Sequence, residues 1–486
     1  MSRRYSSALL LVALVQIAWP ATSWASEPST IAGSGAREPF AVPSGPALEN
    51  DPVLKTLVDQ ALATRPELEQ VRAAIRAEYQ RVPQAGALPD PTLALGIQND
   101  GFGGIQIGKM EGSFLSIMVA QTIPWAGKVE ARSRVASVDA RLAEVDLKRV
   151  ELAVRAEVER GYIDLLQTRD RLALLDRLDA LWTQAEGLAR SRYETGQGAQ
   201  SDLLRAQLER NRLHQRRWTL AAEEQQQLAG LNRLRSRPLD EVIAASRSLT
   251  DLPDPTLLDL AQAQRVALAG SPEIEKARLD VDQAERRIDL ARNDLVPDVT
   301  LSAGLMPRWG KFEPMWQLGL AVPLPIWAGS KQSRAIDESV QRSNVASSSV
   351  DVVEQLLQQR VAERHALLRA VLESNQLYRT GLLAQSEATV ASTVAQYQVG
   401  SVTFASVLEA LAGYLGDLDG FLTSIATSQR IAIAERELSL DPVDGSGGGS
   451  MGSARVPGAG GIGSARSAAP ATGPPAGETG TSMSRM

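Results

Sequence analysis

Apolar residues along this chain change their period twice, and they do so in the same order in both halves. In the first half they recur at alternating spacings of three and four: Val135, Val138, Leu142 and Val145, then Leu152, Ala156, Ile163 and Leu166. Arg149 and Glu159 interrupt the register, and after a phase shift it resumes at Leu174, Leu178, Leu181, Ala185 and Leu188. That spacing is a coiled-coil-like seam. No proline lies between Trp125 and Arg237 or between Ile326 and Asp441, so nothing in either stretch removes a helical N–H. A helix from Lys128 to Tyr193 reaches ~100 Å at about 1.5 Å per residue. Glu194-Thr195-Gly196 breaks it, with Gly196 placed for a left-handed cap, and a return helix is predicted from near Ser201 to about Arg235. In the second half the break is Gln398-Val399-Gly400. There Ser406-x-x-Glu409 offers a capping box for the return helix, whose alternative start is Thr403.

Upstream of each long run the period drops to two. Leu93, Leu95 and Ile97 alternate with Thr92, Ala94, Gly96 and Gln98, and Leu115, Ile117 and Val119 with Ser116, Met118 and Ala120. In the second half Val299, Leu301, Ala303 and Leu305 alternate with Thr300, Ser302 and Gly304, and Leu318, Leu320 and Val322 with Gln317, Gly319 and Ala321. Each half therefore holds two strands of about nine residues, with one apolar and one small or polar face. That is close to the ~9–11 residues of a tilted membrane-spanning strand. Two short helices precede the strands in each half. Asp51-Pro52 and Asp254-Pro255 read as an N-cap with proline at the first helical position, for helices ending near Thr64 and Ala269. Pro66 and Pro272 open the second helices, which run to about Leu88 and Asp294, and Ser271 is a suitable N-cap.

Motifs repeat as well as periods. Trp125 pairs with Trp327, Tyr193 with Tyr397, Gly196 with Gly400, and Leu88–Ile97 with Leu295–Leu305. A repeat of this length is two copies of one large unit, too long for a solenoid. The predicted organisation is a signal peptide over 1–25, a flexible segment over 26–50, one repeat over 51–250, a second over 251–441, and a disordered Gly/Ser/Ala-rich tail over 442–486. Four strands cannot close a membrane barrel, because small barrels need at least about eight and an open edge is forbidden in lipid. Subunits must share one barrel: two chains give eight strands, three give twelve.

Composition narrows the function. The net charge of −6 carries no nucleic-acid footprint. Hydrophobic residues make up 44% of the chain but aromatics only 4%, a balance of Ala, Leu and Val suited to long helices. With no cysteine and two histidines, a zinc finger, a thiol nucleophile and a disulfide scaffold are all excluded. Arg3 and Arg4, the short apolar run Ala8–Ala18 and Ser23-Trp24-Ala25 before Ser26 form a secretory signal. No nucleophile elbow, P-loop or HExxH motif is present, so no catalytic role and no cofactor are expected, and transport energy must come from a partner. His214 and His365 lack metal-ligand neighbours at helical spacing and read as structural or surface residues.

The chain resembles TolC-like outer membrane factors. The matching residues are Pro-Trp-Ala-Gly-Lys at 124–128, Tyr193-x-x-Gly196 with Asp202-Leu203-Leu204, and their counterparts Trp327-Ala328-Gly329 and Tyr397-x-x-Gly400. The resemblance spans about residues 51–440, and the first motif is similar to that of members from heavy-metal efflux operons. It implies a mainly α fold with a small β-barrel contribution: a homotrimer with a twelve-stranded barrel in outer-membrane lipid and a periplasmic helical tunnel. It also implies a periplasmic adaptor and an inner-membrane pump of the resistance-nodulation-division type as partners.

On that resemblance the two helical turns meet the adaptor, through Tyr193, Gly196, Leu203 and Leu204 and through Tyr397, Gly400, Val407 and Leu408. The bland alternative for each side chain is internal helix-turn packing. Asp202 is a candidate for a ring of charge at the tunnel entrance, against the alternative of a helix N-terminal charge favoured by the dipole. Trp125, Trp309, Phe312, Trp316 and Trp327 flank the strands and suit aromatic girdles. The function expected is passive exit duct of a tripartite efflux pump. The alternatives are exit duct of type I protein secretion and a structural periplasmic coiled coil.

Overall fold

The computed structural model describes residues 47–244 and 247–442. The expectations for the signal peptide, for most of 26–50 and for the tail beyond 442 lie outside the described residues. The first repeat runs α1 (Pro52–Thr64), α2 (Pro66–Ala85), β1 (Thr92–Gln98), β2 (Phe114–Ile123), α3 (Ala126–Glu194) and α4 (Gln200–Leu234). The second runs α5 (Leu260–Gly270), α6 (Pro272–Asn293), β3 (Val299–Met306), β4 (Met315–Ala321), α7 (Gln332–Leu377), a π-helical turn (Tyr378–Leu382), α8 (Leu383–Gln398) and α9 (Phe404–Glu437). The 69 residues of α3 make it ~100 Å long. No helix among the described residues is long and apolar enough to cross a membrane.

The first repeat follows its local signals closely. The Asp51 carboxylate accepts the N–H groups of Val53 at 2.8 Å and Leu54 at 3.4 Å, capping α1. Its other oxygen takes the buried Tyr162 hydroxyl at 2.9 Å, which ties α1 to α3. Burial and this bond push the Tyr162 phenol far above its ordinary range. The second repeat departs from its signals at three caps. Asp254 does not open a helix, because Arg379 and the Asn375 amide hold its carboxylate. The chain stays irregular until Asp259 caps α5 through the Ala261 N–H at 3.2 Å. Ser271 precedes α6 without capping it; its hydroxyl is buried without a partner, and Pro272 brings no N–H. The Ser406–Glu409 box does not form either. Thr403 takes the N-cap position, as in the alternative start, and Ser406 lies inside the first turn.

The four strands form one antiparallel sheet in the order β1-β2-β3-β4. Directly paired residues share a face. Leu93 opposite Val119, Leu95 opposite Ile117, Ile117 opposite Leu305, Leu301 opposite Leu320 and Leu305 opposite Trp316 build one apolar face across both repeats. The other face is small and polar: Gly96 opposite Ser116, Ala120 opposite Ser302, Thr122 opposite Thr300, Ser302 opposite Gly319. Strands of seven to ten residues bracket the expected nine. On the apolar face Leu95 is 69% exposed and Leu318 73%, so this surface has no cover within one protomer. β1 and β4 are the outer strands, each with one unpaired edge among the described residues.

Below the sheet, α2 and α6 pack on α3, and α7 packs on α6. One core joins α1, the middle of α3, the end of α4 and α9 through Leu57, Tyr162, Leu166, Leu231 and Ile425. A second fills the distal end between α3, α4, α8 and α9. A third, around Ile274 and Leu357, holds α5, α6 and α7 together with Leu438 and Leu440.

Candidate functional site

Two places on the protomer carry the features expected of a channel subunit: the paired helical turns at its distal end and the sheet at the other. The turns have matching geometry. Gly196 takes φ +73° and Gly400 φ +80°, the left-handed region where a Cβ is disfavoured. Gln197 and Gly198 return their N–H groups to Arg192 O at 2.8 Å, and Ser401 returns its own to Gln396 O at 2.9 Å. Such bonds satisfy the last carbonyls of each incoming helix.

Arg192 joins the turns. Its guanidinium lies over the Tyr397 ring, 4.9 Å from the centroid, and donates to Tyr397 O and, at 3.3 Å, to Gln197 O. The Tyr397 ring meets Phe404 with centroids 5.3 Å apart. Burial, reinforced by the negative charge of Asp202, pushes the Tyr397 phenol above its ordinary range. Asp202 itself lies half-buried in the first turn of α4, at the positive end of the helix.

This geometry divides the expected tip residues. Tyr193 (44% exposed) and Leu204 (57%) face outward, while Leu203 and Leu408 are half-buried. Tyr397 and Val407 do not present surface to a partner: both are buried in the distal core with Phe404 and Leu411. Their apolar spacing, 404, 407 and 411, is that of a buried helix face, so the signal was in the sequence. Arg192 was not legible there, because its partner lies 205 positions away.

The sheet end has its own anchor. Lys128 is buried, and its ammonium donates to Asp298 at 2.8 Å and Val296 O at 3.2 Å, with Asp294 at 3.5 Å. It thereby locks the start of α3 to the approach of β3. The flanking aromatics fall into two groups. Trp125 and Trp327 lie at the helical end of the sheet and are exposed. Trp309, Phe312 and Trp316 lie at the opposite, loop end, where Arg308 stacks on Phe312 at 5.8 Å. His365 bonds to Leu258 O at 3.0 Å and His214 stands 4.0 Å from Asp179. No group of three or more potential metal ligands occurs among the described residues.

Comparison with known proteins matches these features to one family. The family model described as "Outer membrane efflux protein" covers residues 57–236 and 263–418. The cobalt-zinc-cadmium resistance protein CzcC of Cupriavidus metallidurans is 23% identical over 291 residues, 59% of this chain and 68% of CzcC. The outer membrane efflux protein BepC of Brucella suis is 23% identical over 299 residues, 58% of this chain but under two thirds of BepC, 62%. Among solved structures, the outer-membrane channel OprN superposes with a TM-score of 0.66 at 18% identity, over 83% of this chain and 94% of OprN. That likeness is one of fold.

Proposed function

The chain belongs to the outer membrane efflux protein family and is an outer-membrane exit duct with a periplasmic helical tunnel, and from that premise we propose how it assembles and what it meets. Three copies pair β1 of one with β4 of the next and close a twelve-stranded barrel. The observation that carries this reading is the sheet itself, with an uncovered apolar face and two open edges. In lipid each unpaired backbone group costs several kcal/mol, so the edges must find each other. Three copies of the helical hairpins then continue the barrel as a tunnel ~100 Å long.

The distal turns meet the periplasmic adaptor through side chains that remain exposed in the protomer, Tyr193 and Leu204, with Val399 beside them. The adaptor links the duct to an inner-membrane pump of the resistance-nodulation-division type. Asp202, half-buried in the first turn of α4, contributes one carboxylate per protomer to the charge at the tunnel entrance. The names of CzcC and BepC refer to metal resistance and to efflux, and we propose the same broad role here: passive release of small toxic solutes handed over by the pump.

Native mass measurement on detergent-extracted protein tests the assembly, with a trimer expected; a stable monomer overturns it. Growth of a deletion strain on cobalt, zinc, cadmium and hydrophobic drugs tests the role. Lost resistance to one class is expected, and unchanged resistance to all of them favours protein export instead.

A further inference from the structure

The chain that leaves α4 borders an open apolar groove against the start of α1. The groove has a volume of about 380 Å³, with Val53 and Leu57 on one wall and Val242 and Ile243 on the other. The linker is not helical here, and Ile243 is buried while Val242 is 78% exposed, the alternation of an extended segment. The N–H groups of Val242, Ile243 and Ala244 make no backbone hydrogen bond among the described residues. Arg235, in the same wall, is buried; it donates to Gln60 at 2.9 Å and Glu241 at 3.2 Å and leaves its Nε without a partner. An apolar slot beside a row of free backbone donors fits an added strand, which supplies carbonyls to the donors and alternate side chains to the slot.

The chain itself carries a segment of that pattern. Pro39-Phe40-Ala41-Val42-Pro43 stands just ahead of the first described residue, Ala47. Phe40 and Val42 alternate with Pro39, Ala41 and Pro43, so an extended backbone turns both to one side. Glu38 and Val42 each precede a proline, which biases them to that backbone. The five steps from Val42 to Ala47 reach up to about 17 Å. Leu48 is buried in the same core as Leu57 and Ile243, so the segment is delivered to the rim of the groove. Its charges, Arg37 and Glu38, complement Glu241 and Arg235 on the wall. The other end of the chain is a poorer match. Residues 442–486 hold no aromatic side chain, and the chain enters them from beside α7, where Arg364 holds Ser439 O and Asp441 O.

We propose that residues 38–44 lie back along Val242–Ala244 as an added strand, seat Phe40 and Val42 in the groove, and so strap the linker between the repeats to α1. The proposal goes beyond the exit-duct reading and does not depend on it. Backbone hydrogen–deuterium exchange on the detergent-extracted full chain tests it, because exchange reads local opening. The amides of Phe40, Ala41 and Val42 should exchange at least about tenfold more slowly than those of 29–36. Phe40→Asp with Val42→Asp should speed exchange in 40–42 and 242–244 together, by about tenfold, and leave 160–166 as in the parent. Equal exchange of 40–42 and 29–36 in the parent overturns the proposal. Protection of 242–244 that survives the double replacement also overturns it, because another occupant then covers the groove. Should that variant fail to fold, Ala41→Cys paired with Val242→Cys or with Ala244→Cys reads the same contact in a chain that has no cysteine of its own. A disulfide within one chain is expected on mild oxidation. No linkage from either pair overturns the proposal, as does linkage of Val242→Cys to Val456→Cys in the tail.

Discussion

Glu186 gathers three side chains of the first hairpin on one carboxylate. It accepts from Arg210 at 2.7 Å, Arg190 at 3.2 Å and Gln207 at 3.4 Å, and it is buried. The bond from Arg210 holds its pKa below the ordinary glutamate range, with Gln207 and the two arginine charges adding to the effect and burial opposing it. A folded pKa below the unfolded one gives stability that is fully present above the ordinary value of about 4.3 and is lost as pH falls through the lower folded value. Glu186→Gln should therefore cost roughly 1–3 kcal/mol at neutral pH and flatten the acid branch below about pH 4. Thermal unfolding followed by circular dichroism from neutral to acid pH checks it. Equal stability at pH 7 with an unchanged acid slope would mean that the cluster contributes nothing. At this scale local features were legible from sequence: the Asp51 cap, and the two left-handed glycines. Pairs closed by tertiary structure were not. Tyr162–Asp51 and Lys128–Asp298 span 111 and 170 positions, and no local spacing encodes them.

Elements were legible wherever a period held for several turns. The order of helices and strands in both repeats follows from the switch between periods of two and three-to-four. The second repeat failed its signals where a side chain had another use. Asp254 carries the capping residue type but gives its carboxylate to Arg379, so local chemistry alone could not place the start of α5. The π-helical turn at Tyr378–Leu382 was not legible, because apolar spacing averaged over several turns does not resolve a single five-residue step. The chain after α9 is also more than a loose end. Leu438 turns left-handed at φ +54°. The carbonyls of Ser439, Leu440 and Asp441 then accept from Arg364 and Arg360 at 2.5–3.1 Å. Arg364 is 1% exposed, and the carbonyls of Ser439 and Asp441 are its only hydrogen-bond partners among the described residues. Truncation after Asp441 should leave trimer yield and resistance unchanged. Truncation after Glu437 should strand the guanidinium and lose at least ~1.5–3 kcal/mol. Thermal stability and extraction yield of the two truncations compare them. Equal behaviour would mean that residues 438–441 do not brace α7.

At the scale of the whole molecule, the fold makes sense only when two solvents act on it. The helices bury their seams as in any water-soluble protein, whereas the sheet leaves its apolar face uncovered and turns its small residues the other way. The sequence displayed this alternation in both repeats. What it could not display was that β2 and β3 pair across the repeats, so that a single apolar surface runs over all four strands. Neighbouring positions on β1 give the sharpest test, since Leu95 and Ala94 point to opposite faces. Leu95→Arg places a charge on the face assigned to lipid, near the middle of its strand, at about 2–4 kcal/mol for each protomer. Repeated three times around a barrel, that cost should abolish recovery of heat-resistant trimer from the outer membrane. Ala94→Arg puts the same side chain one residue away, toward the water-filled interior, where it should leave trimer recovery near the parent level and lower the conductance of single channels to cations. Heat-modified gel mobility of outer-membrane fractions and planar-bilayer recording read the two outcomes. If Leu95→Arg assembles normally while Ala94→Arg does not, the sheet faces lipid with its small residues, and the barrel proposed here is inside out.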